Sequence, residues 1–375
     1  MTIAINMVAT KLSSGTRTYN INFYNELINY KEINTELYIY ICKNYLKYIK
    51  KKNSKIILIV KPDILSNSFF RLIWSQFILP FDLKFRKIKT LVSLMNTSPL
   101  LINFFKIRSI LAIHSNLPWT NFHLMPGNYF KKIFIKKIME YSIYNSQKLI
   151  VDSDYANKEI KKILGLKHKD ITTINLGVDS KFYKKKSNNF LEYFNYKQDY
   201  ILSVMSCVKY HNILNILIAM TEIAKKNKKK ITLVLVLQIL DVKYLEVLVS
   251  YIKTNNLEKN VIIFKNLKSE YLPNLYKNAK IYIFSSYSEV FGYTTLEAMA
   301  CGCPVLVSKT SCLPEINGQA AMYFNPDSID SIKRNILFLL SDTKLRYKLI
   351  NKGYIHVKKF NTKKSFENTL KVINS

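Results

Sequence analysis

The stretch Ile281–Ser308, IYIFSSYSEVFGYTTLEAMACGCPVLVS, decides the fold. It opens on an apolar run from Ile281 to Phe284, breaks at Ser285 and Ser286, and resumes apolar residues at helical spacing at Leu296, Ala298, Met299 and Ala300. The pattern predicts a strand, a loop and a helix. Thr294 followed three residues later by Glu297 has capping-box spacing. Gly302 stands where a left-handed C-terminal cap is wanted, and Pro304 prevents continuation. Val305–Val307 reads as the next buried strand. In an open parallel α/β sheet such a strand-to-helix turn lies at the carboxyl ends of the strands. There the amides of Gly292, Tyr293 and Thr294 form an anion site that fits a phosphate.

Glu289 and Glu297 bracket this turn. Phosphate repels a carboxylate, so carboxylates beside a phosphate site are better suited to accept hydrogen bonds from sugar hydroxyls. The pair points to a nucleotide sugar. Spacing alone leaves plainer roles open, with Glu297 capping its own helix and Glu289 a solvated loop residue.

The segment Glu289-Val-Phe-Gly-Tyr-Thr-Thr-Leu-Glu297-Ala-Met-Ala-Cys-Gly-Cys-Pro-Val, followed by Leu313-Pro314-Glu315-Ile316 and Gly318-Gln319-Ala320-Ala321, resembles retaining glycosyltransferases of family 4. These are glycosyl transferases group 1, here of the bacterial cell-surface polysaccharide type. The resemblance implies an α/β GT-B fold, with two Rossmann-like domains facing across a cleft. It also implies a nucleotide-diphosphate-sugar donor, a glycan or lipid-linked acceptor, and no metal or resident cofactor. By position, Glu289 contacts the donor sugar, the backbone of Val290, Phe291, Gly292, Tyr293 and Thr294 holds the diphosphate, and Glu297 binds the ribose. Val290 stands where the family usually has glycine, and Gln319 where it often has aspartate.

Outward from this stretch, Tyr200–Met205 reads as a strand followed by Ser206-Cys207-Val208-Lys209-Tyr210-His211-Asn212. The family places an arginine or serine and then a lysine in this loop, where they steady the leaving diphosphate. The serine falls on Ser206, and His211 occupies the lysine's place with Lys209 two residues before it. Either a protonated His211 or Lys209 then supplies the charge. In the amino-terminal half, Ser109–Ile113 reads as a strand ending in His114, to which the resemblance assigns a contact with the donor sugar. His114 and Glu289 are thus the expected catalytic pair. The loop Thr10–Arg17 corresponds to a loop with paired glycines, here Ser14-Gly15, near acceptor or donor phosphates. Arg17 reads either as a contact to an acceptor phosphate or as a solvent-facing side chain.

Residues 1–183 are expected to form an acceptor-side domain, 184–199 a lysine-rich linker, 200–360 the nucleotide-sugar domain, and 361–375 a helix crossing back to the first domain. Further strands are read at Thr2–Ala9, Glu36–Cys42, Lys55–Val60, Leu149–Val151, Ile171–Asn175, Ile231–Gln238 and Val261–Phe264. Asp152-Ser153-Asp154 has the spacing of a metal motif found in a different glycosyltransferase fold. Its place between a strand and a helix makes Ser153 or Asp154 an N-cap instead.

The chain has 375 residues, 49% hydrophobic, and a formal net charge of +32. Such a charge fits either an anionic partner or a lysine-rich solvated surface. The five cysteines lack disulfide or zinc spacing and read as small core residues in a reducing compartment. Met1–Ala9 reads as a strand rather than a secretory leader. Phe69–Phe81 comes nearest to a spanning segment but is interrupted by Arg71, Ser75 and Gln76. Lys131–Tyr141 reads as a basic helix that either packs one face on the sheet or rests on anionic lipid. The expected location is the cytoplasm or the cytoplasmic face of a membrane. Two alternatives to an active transferase are a catalytically silent GT-B partner subunit and a basic nucleic-acid-binding protein. No nucleic-acid module is recognisable, and the positive charge is spread along the chain.

Overall fold

Short β-branched and aliphatic runs separated by helical segments build two all-parallel sheets in the computed structural model. The structure describes residues 2–9, 15–30, 36–49, 54–183, 198–226 and 231–375. Residues 184–197 of the expected linker, and 10–14 of the loop that contains Ser14, lie outside the described residues. The chain divides into two compact units. Unit 1 is Met1–Trp119, Asn128–Gly177 and Phe360–Ser375, and unit 2 is Thr120–Gly127 and Val178–Lys359.

Unit 1 carries β1 (Ile3–Asn6), β2 (Leu37–Cys42), β3 (Ile56–Lys61), β4 (Thr90–Ser93), β5 (Arg108–Ile113), β6 (Lys148–Val151) and β7 (Ile171–Thr173), in the order β3-β2-β1-β4-β5-β6-β7. The strand β4 is an addition to those read from the sequence. Its neighbours are set by parallel register, Ile5 of β1 opposite Val92 and Ile110 of β5 opposite the same Val92. The central strands are buried on both faces, as a sheet covered by helices requires. The terminal helix Thr362–Asn374 belongs to this unit. Phe366 packs its ring 5.1 Å from Phe23 and 5.6 Å from Tyr30, and Thr369 bonds the Tyr19 hydroxyl.

Unit 2 carries β8 (Tyr200–Cys207), β9 (Thr232–Ile239), β10 (Val261–Lys265), β11 (Ile281–Phe284), β12 (Val305–Ser308) and β13 (Ala321–Phe324), in the order β10-β9-β8-β11-β12-β13. The direction of strand addition reverses between β8 and β11. In an open α/β sheet this reversal opens a crevice at the carboxyl ends of the two strands. The loops that leave β8 and β11 are those holding His211 and Glu289.

The helix after β11 runs Tyr293–Ala300 and ends as expected in a Schellman motif. Gly302 takes φ +75°, its amide bonds the Met299 carbonyl, and Cys303 N–H reaches the Ala298 carbonyl at 2.9 Å. Its start differs from the expected capping box. The N-cap is Gly292, at φ +78°, with no side-chain cap, so Thr294 and Glu297 lie inside the helix rather than at cap positions. A Cβ on Gly292 would come 2.6 Å from Leu313 Cδ2, so both the backbone angle and the space require glycine.

The five cysteines are free. Four are buried, Cys301 is half-buried, and burial pushes the Cys207 thiol up to about 12.

Candidate functional site

Two loops of unit 2 are tied to each other at the reversal point. Strand β8 continues to Cys207, two residues beyond the expected end, and a 3₁₀ turn Lys209–His211 follows. Asn212 then adopts φ +55° and donates from Nδ2 to the Pro326 carbonyl at 2.9 Å. From the other loop, Ser285 Oγ donates to the His211 carbonyl at 2.6 Å, and Tyr287 N–H to the Tyr210 carbonyl at 2.8 Å. These bonds fix the backbone on both sides of the crevice.

His211 is buried between them. Its Nδ1 lies 2.7 Å from the Ser206 carbonyl oxygen, and its Nε2 lies 3.2 Å from Glu289 Oε1. A carbonyl oxygen only accepts, so Nδ1 carries a proton. The atom facing Nε2 is a carboxylate oxygen, so this contact is a hydrogen bond when a second proton lies between Nε2 and Oε1. Lys209, the other candidate for positive charge, is exposed. The Glu289 backbone amide donates to Ser311 Oγ at 3.0 Å, and Ser206 Oγ donates to Gln238 Oε1 at 3.3 Å. Val290 and Phe291 are buried, and Thr294 Oγ1 is bonded to the Tyr282 hydroxyl at 2.7 Å.

Glu297 sits one helical turn beyond Tyr293. It is only 7% exposed, and its Oε2 accepts a 3.1 Å hydrogen bond from the Tyr276 hydroxyl. Burial raises its pKa from 4.5 to about 7, against the lowering effects of Lys181 and of the Tyr276 bond. Such a carboxyl gains when hydroxyl donors arrive to stabilise its ionised form.

In unit 1, β5 and β6 pair with Ile113 opposite Val151, so the next residue of each strand, His114 and Asp152, emerges beside the other. His114 Nδ1 lies 2.9 and 3.0 Å from the two Asp152 carboxylate oxygens. Both side chains are almost wholly buried, at 5% and 2% exposure, and the Tyr19 ring stands 5.0 Å from the imidazole. His114 Nε2 is buried without a hydrogen-bond partner, an orphaned polar atom that a ligand hydroxyl would satisfy.

Asp152 was not among the expected site residues. Its sequence signal was masked by the neighbouring Ser153, which accepts from Ala156 N–H as the N-cap. Among the described residues no group of three His, Cys, Asp or Glu side chains could hold a metal ion.

Two expectations for the amino-terminal loop need correction. Gly15 is the first residue of the helix Gly15–Asn29 rather than part of the loop. Arg17 does not face solvent. It is buried, with its guanidinium 5.1 Å from the Tyr45 ring centroid and 4.7 Å from that of Tyr48, because the flat cation gains from aromatic faces.

Residues 185–356 match the family described as glycosyl transferases group 1. The O-antigen chain mannosyltransferase B of Escherichia coli is 38% identical over 107 residues, 28% of this chain and 27% of that protein. The chain thus spans about a quarter of that relative's length. The O-antigen chain mannosyltransferase RfbU of Salmonella typhimurium is 24% identical over 331 residues, 84% of each chain. Among solved structures, Anabaena HepE in complex with UDP and glucose superposes with a TM-score of 0.77 at 14% identity, covering 100% of this chain and 99% of that one. Residues 185–356, just under half of the chain, thus resemble the glycosyl transferases group 1, and the fold is GT-B.

Proposed function

We propose that the protein is a retaining glycosyltransferase that moves a sugar from a nucleotide-diphosphate-sugar donor to a glycan or lipid-linked acceptor in surface polysaccharide biosynthesis. The observation that carries this reading is the Glu289–Glu297 turn of a domain similar to the group 1 transferases, with a buried, high-pKa carboxyl at Glu297 and His211 Nε2 3.2 Å from Glu289. The names of the similar O-antigen mannosyltransferases favour mannose as the first sugar to test.

In this mechanism the bond between the anomeric carbon and the diphosphate oxygen breaks. A bond to the acceptor hydroxyl oxygen forms on the same face of the sugar, and the hydroxyl proton passes to the departing diphosphate. The protein's task is to orient the sugar and stabilise the charge that develops. Amides at the uncapped start of the helix Tyr293–Ala300 receive the diphosphate, as helix starts do for anions. His211 brings positive charge to it, and Ser206 and Lys209 line the same loop. Glu289 and the Nε2 of His114 bond sugar hydroxyls, and Glu297 takes the ribose hydroxyls. The group 1 resemblance supports a reaction without a metal ion, carried out on the cytoplasmic side of a membrane.

A thermal-shift panel of UDP, GDP and their sugar conjugates, run on the parent and on Glu297→Ala, tests this reading. Stabilisation by one nucleotide series that the substitution removes supports the donor site. A transfer assay with mannosylated acceptor fragments then tests turnover. Donor binding without turnover would instead make the chain a silent partner subunit. No response to any nucleotide would overturn the donor assignment.

A further inference from the structure

The helical segment after β3 runs as Ser68–Ile73, a π turn Trp74–Ile78, and Leu79–Phe85. One face buries Trp74, Leu79 and Leu83, and a second row of large apolar residues is left on the outer face. Phe69, Phe70, Ile73, Phe77, Phe81 and Phe85 are exposed, the last at 85%. The polar residues that interrupt this run in the sequence are instead buried. Gln76 Oε1 accepts from Leu100 N–H at 2.9 Å, its Nε2 donates to the Ser98 carbonyl at 3.3 Å, and Ser75 is buried beside it. An ordinary amphipathic surface helix presents charged and polar residues where this one presents phenyl rings. The π turn, placed just before Pro80, inserts one residue into the helical repeat and so keeps Phe81 and Phe85 in line with Phe69, Ile73 and Phe77.

Two neighbouring segments extend the apolar face. Phe104, 78% exposed, packs against Phe105, whose ring lies 5.2 Å from that of Phe81. The helix Tyr129–Asn145 exposes Phe130, at 82%, and Phe134, and its Tyr141 hydroxyl donates to the Leu100 carbonyl at 3.1 Å. Leu100 is thus bonded to both helices.

Across residues 64–108 and 129–145 the sequence has eleven Lys or Arg against two acids, Asp82 and Glu140. Both acids are already engaged. Asp82 pairs with Arg86 at 2.9 Å and Lys61 at 3.5 Å, and Glu140 pairs with Lys137 at 3.2 Å and accepts from Trp119 Nε1 at 3.1 Å. Lys84, Lys87, Lys89, Lys106, Lys131 and Lys137 are exposed, so the segments that carry the exposed rings also carry an excess of positive surface charge. No helix among the described residues is long and apolar enough to cross a membrane, so this one would lie in the interface.

We propose that this face of unit 1 seats the protein in a bilayer interface rich in anionic lipid, with the phenyl rings at the acyl boundary and the lysines among the headgroups. The proposal deepens the membrane-side part of the functional reading but is independent of the donor chemistry.

The test is co-sedimentation of the full chain with vesicles of phosphatidylcholine alone and of equal parts phosphatidylcholine and phosphatidylglycerol. The expected result is a clear preference for the anionic vesicles. Phe85→Ser with Phe130→Ser, at unchanged charge, should weaken that binding by about tenfold or more. Phe85→Trp should show blue-shifted emission on vesicle addition. The nucleotide thermal shift should survive the double serine variant, which separates this proposal from the donor reading. Equal vesicle binding by parent and double variant would overturn it, leaving mere charge adsorption. So would a parent dimer that ignores vesicles and that the double variant dissociates, which would make a second copy the occupant.

Discussion

His211 Nε2 lies 3.2 Å from Glu289 Oε1 while its Nδ1 lies 2.7 Å from the Ser206 carbonyl oxygen, so both ring nitrogens face acceptors. A neutral imidazole has one donor and cannot serve both. Hydrogen bonds at both nitrogens therefore require a second proton shared between Nε2 and Glu289, at the place where the proposed mechanism needs positive charge. Glu289→Gln should keep the contact with one proton fewer, because the amide can donate to an unprotonated Nε2. Nitrogen-15 spectra of the His211 ring should report a proton between Nε2 and Glu289 in the parent and an unprotonated Nε2 in the variant. An unprotonated Nε2 beside an ionised Glu289 in the parent would contradict this account.

Glu297 links stability to pH in a definite direction. Its folded pKa stands near 7 against 4.5 for the ordinary carboxyl, chiefly because burial disfavours the charge. Between these values the folded state binds more protons than the unfolded one, so stability falls as pH rises through the window and levels off above it. The full effect is roughly 3 kcal/mol, at about 1.4 kcal/mol per unit. Urea unfolding at about pH 5 and about pH 8 should show Glu297→Gln losing less than the parent, by an amount on that order. Ribose hydroxyls would favour the ionised form, so nucleotide affinity should rise over the same interval.

Gly292→Ala should destabilise unit 2 by about 1–3 kcal/mol, from a positive φ and a clash with Leu313. Adding Leu313→Ala removes the clash but not the backbone strain. Chemical denaturation of the double variant should therefore recover less than a full reversal, after allowing for the cavity made by Leu313→Ala alone. Complete recovery would mean that the backbone angle costs nothing.

Asp152 holds His114 through both carboxylate oxygens at nearly full burial. Asp152→Ala should cost about 3 kcal/mol or more, as removing one member of a buried pair does. Asp152→Asn, which still offers an oxygen to Nδ1, should cost less. Turnover should follow the same order, with the nucleotide's own binding little changed because Glu297 and the Gly292 turn are intact. Equal effects of the two substitutions would show that orientation of the imidazole is not what Asp152 supplies.

The sheets were legible wherever a strand is a bounded apolar run, as at Ile281–Phe284 and Ser109–Ile113. Thr90–Ser93 was not, because half of its four residues are polar hydroxyls buried by the strands on either side. The strand, loop and helix around Glu289 and Glu297 were read as they stand, but the Thr294–Glu297 spacing pointed to the wrong helix start. A glycine cap leaves no side-chain signature, and Thr294 imitated one. Neither the Asp152–His114 pair nor the His211–Glu289 pair could be read along the chain. Each is made by strand adjacency, a property of sheet order rather than of local sequence. The burial of Gln76 could not be read for a related reason, since its partners Ser98 and Leu100 lie in a distant segment.

The register of β5 against β6 has a genetic consequence. His114 and Asp152 meet because each is the first residue past a paired strand end, Ile113 opposite Val151. Deleting one codon within Lys148–Val151 would turn the side chains beyond it to the other face of the sheet and carry Asp152 away from the imidazole. Deleting one codon from the exposed Lys167–Lys169 turn would shorten a surface connection and leave the pair where it is. A scan of in-frame single-codon deletions should therefore change abruptly in tolerance between these two places, although fewer than twenty residues separate them along the chain.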